Sequence, residues 1–199
     1  MIWGFPQPPL RRLLSRFVKV EVLCDVVFLV HELRRAVSSP SDVAVSEVNQ
    51  WSAEVDEFQD RCKGDVASGV IRDRRYLNWC FSAHPTIDYS LIEVRDKLDG
   101  SLFGISVLRD GGWNDELLSV MEWLVPLDDR DTERALLAQS VTQARETGKK
   151  CVAAWFPASS LQFHRLQIDH GFIVRPTPYQ QVFISWAPGV DRDWLFRNW

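Results

Sequence analysis

Residues 72–109 read RDRRYLNWCFSAHPTIDYSLIEVRDKLDGSLFGISVLR, and the fold turns on this stretch. Its opening, Arg72–Ser82, is a short helical block. The block ends ahead of His84-Pro85, because a residue before proline is pushed out of the helical region. Two strand-like runs follow, Tyr89–Arg95 and Ser101–Arg109, joined at Asp99-Gly100. An Asp-Gly pair between apolar runs is the strongest short-range sign of a β-hairpin.

Downstream, Leu117–Val125 (LLSVMEWLV) is nearly continuous in apolar residues, as a central strand is. Asp131 or Thr132 can cap the next helix, which runs to about Thr147 with Leu137, Val141 and Ala144 on one face and Gly148 as its stop. Lys149–Phe156 reads as a strand that Pro157 terminates, Ala158–His170 as a helix ended by Gly171, and Tyr179–Trp186 as a last strand. Upstream, Val48, Trp51, Val55, Phe58 and Cys62 recur at three-to-four spacing and predict an amphipathic helix over residues 46–62. Residues 17–31 are dense in Val, Phe and Leu and predict one or two buried strands, and Ser38-Ser39-Pro40-Ser41 is a break. From residue 46 the order is α, α, β, β, β, α, β, α, β. That order describes a mixed α/β sheet with helices on both faces, preceded by a strand-and-loop appendage.

Composition narrows the function. The chain of 199 residues carries a formal charge of −4, so nothing global attracts nucleic acid or an anionic membrane. The four Cys form no CxxC pair and the four His are scattered, which describes reduced thiols in a cytoplasmic protein and no metal site. The longest apolar runs are too short to span a bilayer, and Pro6, Pro8 and Pro9 stand where an export signal needs an apolar core. Trp3, Trp194 and Trp199 lie near the ends of the chain, where exposed aromatics mark either simple packing or a surface that another domain covers.

Arg72-Asp73, Tyr76-Leu77-Asn78-Trp79-Cys80-Phe81, Pro85 and Tyr89 stand in the order of an entry motif that precedes a central hairpin. With the element order, this resembles the acetyltransferase-like domains of the GNAT superfamily over about residues 46–186. Cys80 and Phe81 replace an Arg and a Tyr usual there. His170-Gly171-Phe172 looks like the Gly-Phe that closes the last helix of that superfamily. The opening WGFPQPPLRRLL looks like the tail of a preceding domain of the same kind, and Trp194–Trp199 like the start of a longer terminal motif. The resemblance implies an N-terminal appendage over 1–40, a GNAT-like domain over 41–190 and a tail over 191–199, as in the second domain of a tandem member.

It further implies acetyl transfer from acetyl-CoA to the amine of a small molecule or of an envelope or polysaccharide precursor. Such chemistry needs N–H donors at a helix start for the pyrophosphate. It needs a strand-end donor for the thioester carbonyl, a base for the amine and an acid for the thiolate. On the resemblance, backbone groups near Leu124 and Val125 hold the thioester, Arg130, Asp131 and Thr132 lie by the pyrophosphate, and Ser160 contacts the cofactor. Glu122, a lone carboxylate in an apolar run, is either the base or the partner of an Arg. Gln167 stands where a Tyr acid is usual, so Tyr179 is the candidate acid.

The phosphate loop departs from the family pattern. Residues 126–134 hold no glycine, and from Asp128 to Glu133 four acids (Asp128, Asp129, Asp131 and Glu133) against one base (Arg130) sum to −3. Acids at a helix start cap it and occupy the positive end an anion would use. Arg72, Arg74 and Arg75 could bind an anion or form a solvated face. Two functions follow: an N-acyltransferase, or a non-catalytic module of the same fold that packs on a partner acetyltransferase domain. A second such domain or a homodimer is the expected protein partner.

Overall fold

From the N-terminus the elements are β1 (Ile2–Gly4), α1 (Pro8–Leu14), β2 (Glu21–Glu32), β3 (Val43–Val48), α2 (Glu54–Cys62) and α3 (Arg74–Leu77). A π-helical turn, Asn78–Ser82, extends α3. Then come β4 (Ser90–Asp96), β5 (Leu102–Asp110), β6 (Leu117–Leu124), α4 (Arg130–Glu146), β7 (Cys151–Ala154), α5 (Leu161–Ile168) and β8 (Ile173–Ile184). The structure is a computed structural model and describes residues 2–4, 6–63, 70–112, 114–184, 189, 191 and 193–194. Trp3 and Trp194 aside, the expected end of the last strand at 185–186 and the aromatic tail over 195–199 lie outside the described residues.

Contacts divide the chain into two units, Val30–Ala154 and a second made of Met1–Leu29 with Trp155–Trp199. The sheet of the first runs β7-β6-β5-β4-β3. Strands β3 to β6 are an antiparallel meander, and β7 is parallel to β6. The β4–β5 hairpin closes with Gly100 at φ +76°, which a residue without Cβ adopts without strain. Its amide donates to the Asp96 carbonyl, and Ser101 accepts from Asp96 in return.

Alternation along β5 sends Ile105 and Val107 to one face and Gly104 to the other. Ile105, Val107, Leu91, Leu102 and Leu124 pack with Trp51, Val55, Phe58, Cys62 and Leu77 of the α2–α3 layer. Arg95 ties that layer to the sheet: it bonds buried Glu93 at 2.7 Å, Glu54 of α2 at 2.8 Å and the Gly100 carbonyl at 2.8 Å. On the opposite face lies α4. A Cβ built on Gly104 would stand 2.4 Å from Thr132 Cγ2, so α4 approaches β5 as closely as it does only because that strand position carries no side chain.

The second unit pairs β1 antiparallel with β8, whose other neighbour is β2. Phe163 and Leu166 of α5 are buried, as are Phe172, Val182 and Phe183. The Gly171 and Phe172 amides return to the Gln167 and Leu166 carbonyls, so the Gly-Phe pair closes the helix as expected.

The element order from α2 onward is the expected one, with corrections to boundaries. Residues 46–48, expected to open the helix over 46–62, belong instead to the strand Val43–Val48. Val43, Val45 and Val48 favour a pleated edge, and helix begins only at Glu54. Residues 72–82 are α-helical only over Arg74–Leu77. Asp73 is the N-cap there, its carboxylate accepting from the Tyr76 amide at 2.7 Å. The strand expected over 149–156 is confined to Cys151–Ala154, and the helix expected over 158–170 to Leu161–Ile168. The last strand starts at Ile173, six positions early, because a strand tolerates Pro176 and Pro178 where their missing N–H is not needed. Residues 8–14, within the expected strand-and-loop appendage, are helical with Pro8 and Pro9 in the first turn, where proline is pre-organised.

Candidate functional site

The site is built on the second half of β6. Strand β7 pairs with β6 from Leu117↔Cys151 to Val120↔Ala154 and no further. On the other side, β5 pairs Val107 with Glu122 and Leu108 with Val120, so Met121 is an extra residue with no partner in either register. It is a β-bulge, which bends the strand and leaves backbone groups outside the ladder. Pairing with β7 therefore ends at the bulge, and β6 runs on through Glu122, Trp123 and Leu124 toward Val125 with its β7 side unladdered.

Glu122 stands beside the bulge with its side chain only 10% exposed. Its Oε1 accepts from Arg72 Nε at 2.6 Å and from the Trp123 amide at 3.2 Å. Burial pushes its pKa up, while Arg72 and the Trp123 amide pull it back. Both donors address Oε1, so Oε2 is the oxygen left to take up a proton. Of the two readings of this carboxylate, the partner of an Arg is the one realised; that pairing leaves its role as a base to be tested.

By sequence Arg72 groups with Arg74 and Arg75 as an anion site or a solvated face. It is instead the counter-ion of Glu122, while Arg74 sits 3.8 Å from Asp56 at the surface. Tyr76 joins the cluster. Burial, a hydrogen bond with Cys80 and the charges of Cys80 and Glu122 push its phenol up to about 12, against the pull of Arg72. Ile71, Asp73, Arg75, Tyr76 and Trp79 line an open groove of about 410 Å³ outside α3. The sequence marked Tyr76 and Trp79 only through the family motif. A buried carboxylate asks for a cation, but three arginines within four residues made the partner unreadable.

Leu124 and Val125 are buried, and the chain turns there toward α4. The N-cap of α4 is Asp129, two or three residues earlier than the expected Asp131 or Thr132. Its Oδ1 accepts from the Thr132 amide at 2.9 Å and its Oδ2 from the Thr132 hydroxyl at 2.6 Å. Thr132 is buried on the sheet; Arg130 and Asp131 are exposed, Asp131 paired with Arg134 at 3.0 Å. Ser160 and Tyr179 belong to the other unit. Ser160 is the N-cap of α5, accepting from the Phe163 amide at 3.2 Å, and the Tyr179 amide donates to Thr177 Oγ1. The Gln167 amide is spent on the Phe163 carbonyl of its own helix.

A pyrophosphate does not fit this loop. The amide of Thr132 is already taken by a carboxylate. Each further phosphate–carboxylate pair at about 4 Å costs on the order of 1–4 kcal/mol between water-like and surface dielectric. Replacing Asp129 with Ala is expected to remove both cap bonds and lower thermal stability by about 1 kcal/mol, read from the unfolding midpoint. Among the described residues no group of three or more His, Cys, Asp or Glu could hold a metal ion, and no helix is long and apolar enough to cross a membrane.

No family model matches the chain, and no curated protein matches it in sequence. Solved structures do match. A conserved protein from Enterococcus faecalis V583, described as a probable N-acyltransferase, aligns with a TM-score of 0.61 at 14% identity, over 92% of this chain and 44% of that one. The tandem GNAT protein from the clavulanic acid biosynthesis pathway aligns at 0.60 and 10% identity, over 88% of this chain and 57% of that one. A GCN5-related N-acetyltransferase from Sphaerobacter thermophilus aligns at 0.58 and 12% identity, over 95% and 61%. The chain has the GNAT fold and spans about half the length of these structures.

Proposed function

We propose that this GNAT-fold chain is an N-acyltransferase domain that holds an acyl thioester along the open side of β6. It passes the acyl group to an amine of a small molecule or of an envelope or polysaccharide precursor. The observation that carries the reading is the end of β6–β7 pairing at the Met121 bulge, with a buried carboxylate one residue on. Backbone groups around Leu124 and Val125 address the thioester carbonyl. The amine nitrogen attacks the carbonyl carbon, a C–N bond forms, and the C–S bond breaks to release the thiolate. Glu122 Oε2 accepts the amine proton, helped by burial that holds its pKa above the ordinary carboxylate value. The groove beside Tyr76 receives the acceptor amine.

The test combines calorimetry with turnover. The purified chain is expected to bind an acetyl thioester and to release thiol in the presence of an amine. Glu122→Gln is expected to lower turnover by about 10²–10⁴-fold while the chain stays folded. Unchanged turnover in Glu122→Gln would remove the carboxylate from the chemistry.

A second reading is favoured by specific bonds. The Arg72–Glu122 pair and the Asp129 cap both satisfy groups that catalysis would want free. A non-catalytic module of the same fold, packed on a partner GNAT domain or a second copy, needs neither group free. Absence of thioester binding at millimolar concentration selects this reading.

A further inference from the structure

We infer that the donor this chain accepts is recognised by its acyl-pantetheine arm and not by the pyrophosphate of a nucleotide. The inference rests on the acyl-transfer reading and narrows its donor. The two ends of an acyl-CoA would meet opposite chemistry here. At the thioester end, the bulge at Met121 leaves an unladdered strand edge that suits an extended chain of amides such as pantetheine. At the phosphate end, in the first turn of α4, Asp129 takes both the amide and the hydroxyl of Thr132.

Nor can the loop rearrange cheaply to free those donors. The Thr132 methyl is seated over Gly104, where even a Cβ would stand 2.4 Å away, so the side chain that Asp129 holds is packed against β5. With no glycine over residues 126–134, the backbone has no position of special freedom with which to wrap a phosphate. Asp128 and Asp131 are exposed and add repulsion, with Arg130 the single cation between Asp128 and Glu133. The pantetheine arm is uncharged and meets none of this. Free acyl-pantetheine and the arm of a carrier protein share that chemistry.

The test is calorimetry on the whole chain with three probes: acetyl-CoA, S-acetyl-pantetheine and a carrier protein loaded with acetyl-phosphopantetheine. S-acetyl-pantetheine is expected to bind no more than about tenfold more weakly than acetyl-CoA. Acetyl-CoA affinity is expected to hold or rise as salt goes from about 0.05 to 0.5 M, because salt screens a repulsion. Asp128→Asn with Asp131→Asn, both exposed, is expected to tighten acetyl-CoA and leave S-acetyl-pantetheine unchanged. Carrier protein binding tighter than the free arm assigns the protein-borne source; equal or weaker binding assigns the free arm. Acetyl-CoA binding more than about tenfold tighter than S-acetyl-pantetheine, and weakening with salt, overturns the inference while leaving acyl transfer standing. Binding of none of the three overturns both.

Discussion

Arg72→Met is expected to destabilise the chain by about 3 kcal/mol near neutral pH, the low end for breaking a buried ion pair, because Arg72 itself reaches solvent. Its partner Glu122 is the more buried of the two and cannot follow it out. The substitution removes the 2.6 Å bond to Oε1 and leaves the Trp123 amide as the remaining donor. Glu122→Gln behaves differently. A neutral amide avoids the desolvation that dominates the Glu122 shift, so this change is expected to be near neutral or stabilising. The double variant is therefore expected to recover most of the loss.

The pH dependence carries the same sign. The folded pKa of Glu122 lies above its ordinary value of 4.5, so the folded state binds the proton more tightly than the unfolded chain. The stability contributed is complete below the unfolded pKa and is lost as pH rises through the folded one. Arg72→Met raises the folded pKa further and deepens that loss; Glu122→Gln abolishes it. Denaturant midpoints measured from acid to neutral pH read this directly. A stability loss in Arg72→Met that does not depend on pH would show that Arg72 acts by packing alone.

Gly104→Ala is expected to cost about 1–3 kcal/mol, the range for overpacking a close-packed core. The added methyl would stand 2.4 Å from Thr132 Cγ2. Thr132 cannot turn aside, since β-branched side chains are stiff at χ1 and its hydroxyl is held by Asp129 at 2.6 Å. The strain therefore passes to the start of α4 and to its cap. Thr132→Ser in the Gly104→Ala background deletes the clashing methyl and keeps the hydroxyl. The remaining neighbours, the Leu124 carbonyl at 3.4 Å and Val125 Cγ2 at 3.5 Å, are ordinary contacts. Most of the stability is expected to return in the double variant. Gly104→Ala as stable as the parent would mean that α4 is not seated on β5 as described.

What could be read from the residues beforehand follows from how local each signal is. Asp99-Gly100 between two apolar runs marks its hairpin within four residues, and Gly171-Phe172 marks a helix stop within three. The strand at Val43–Val48 was hidden because Val48 also fits the helical spacing of Trp51, Val55 and Phe58. Asp128, Asp129 and Asp131 crowd the start of α4, and each is of a type that caps helices; the structure caps with Asp129 and seats Thr132 over Gly104. The bulge at Met121 leaves no trace in composition, since it is a matter of register between β5 and β6. Glu122 announced itself as a carboxylate in an apolar strand, but its partner lies 50 positions away.

The most direct measurement is hydrogen exchange across residues 117–126 with and without a saturating acetyl thioester. The part of β6 beyond its pairing with β7 is expected to gain protection at Met121–Val125, with exchange in the β4–β5 hairpin unchanged. Identical exchange along β6 in the two states would contradict a thioester site on that strand.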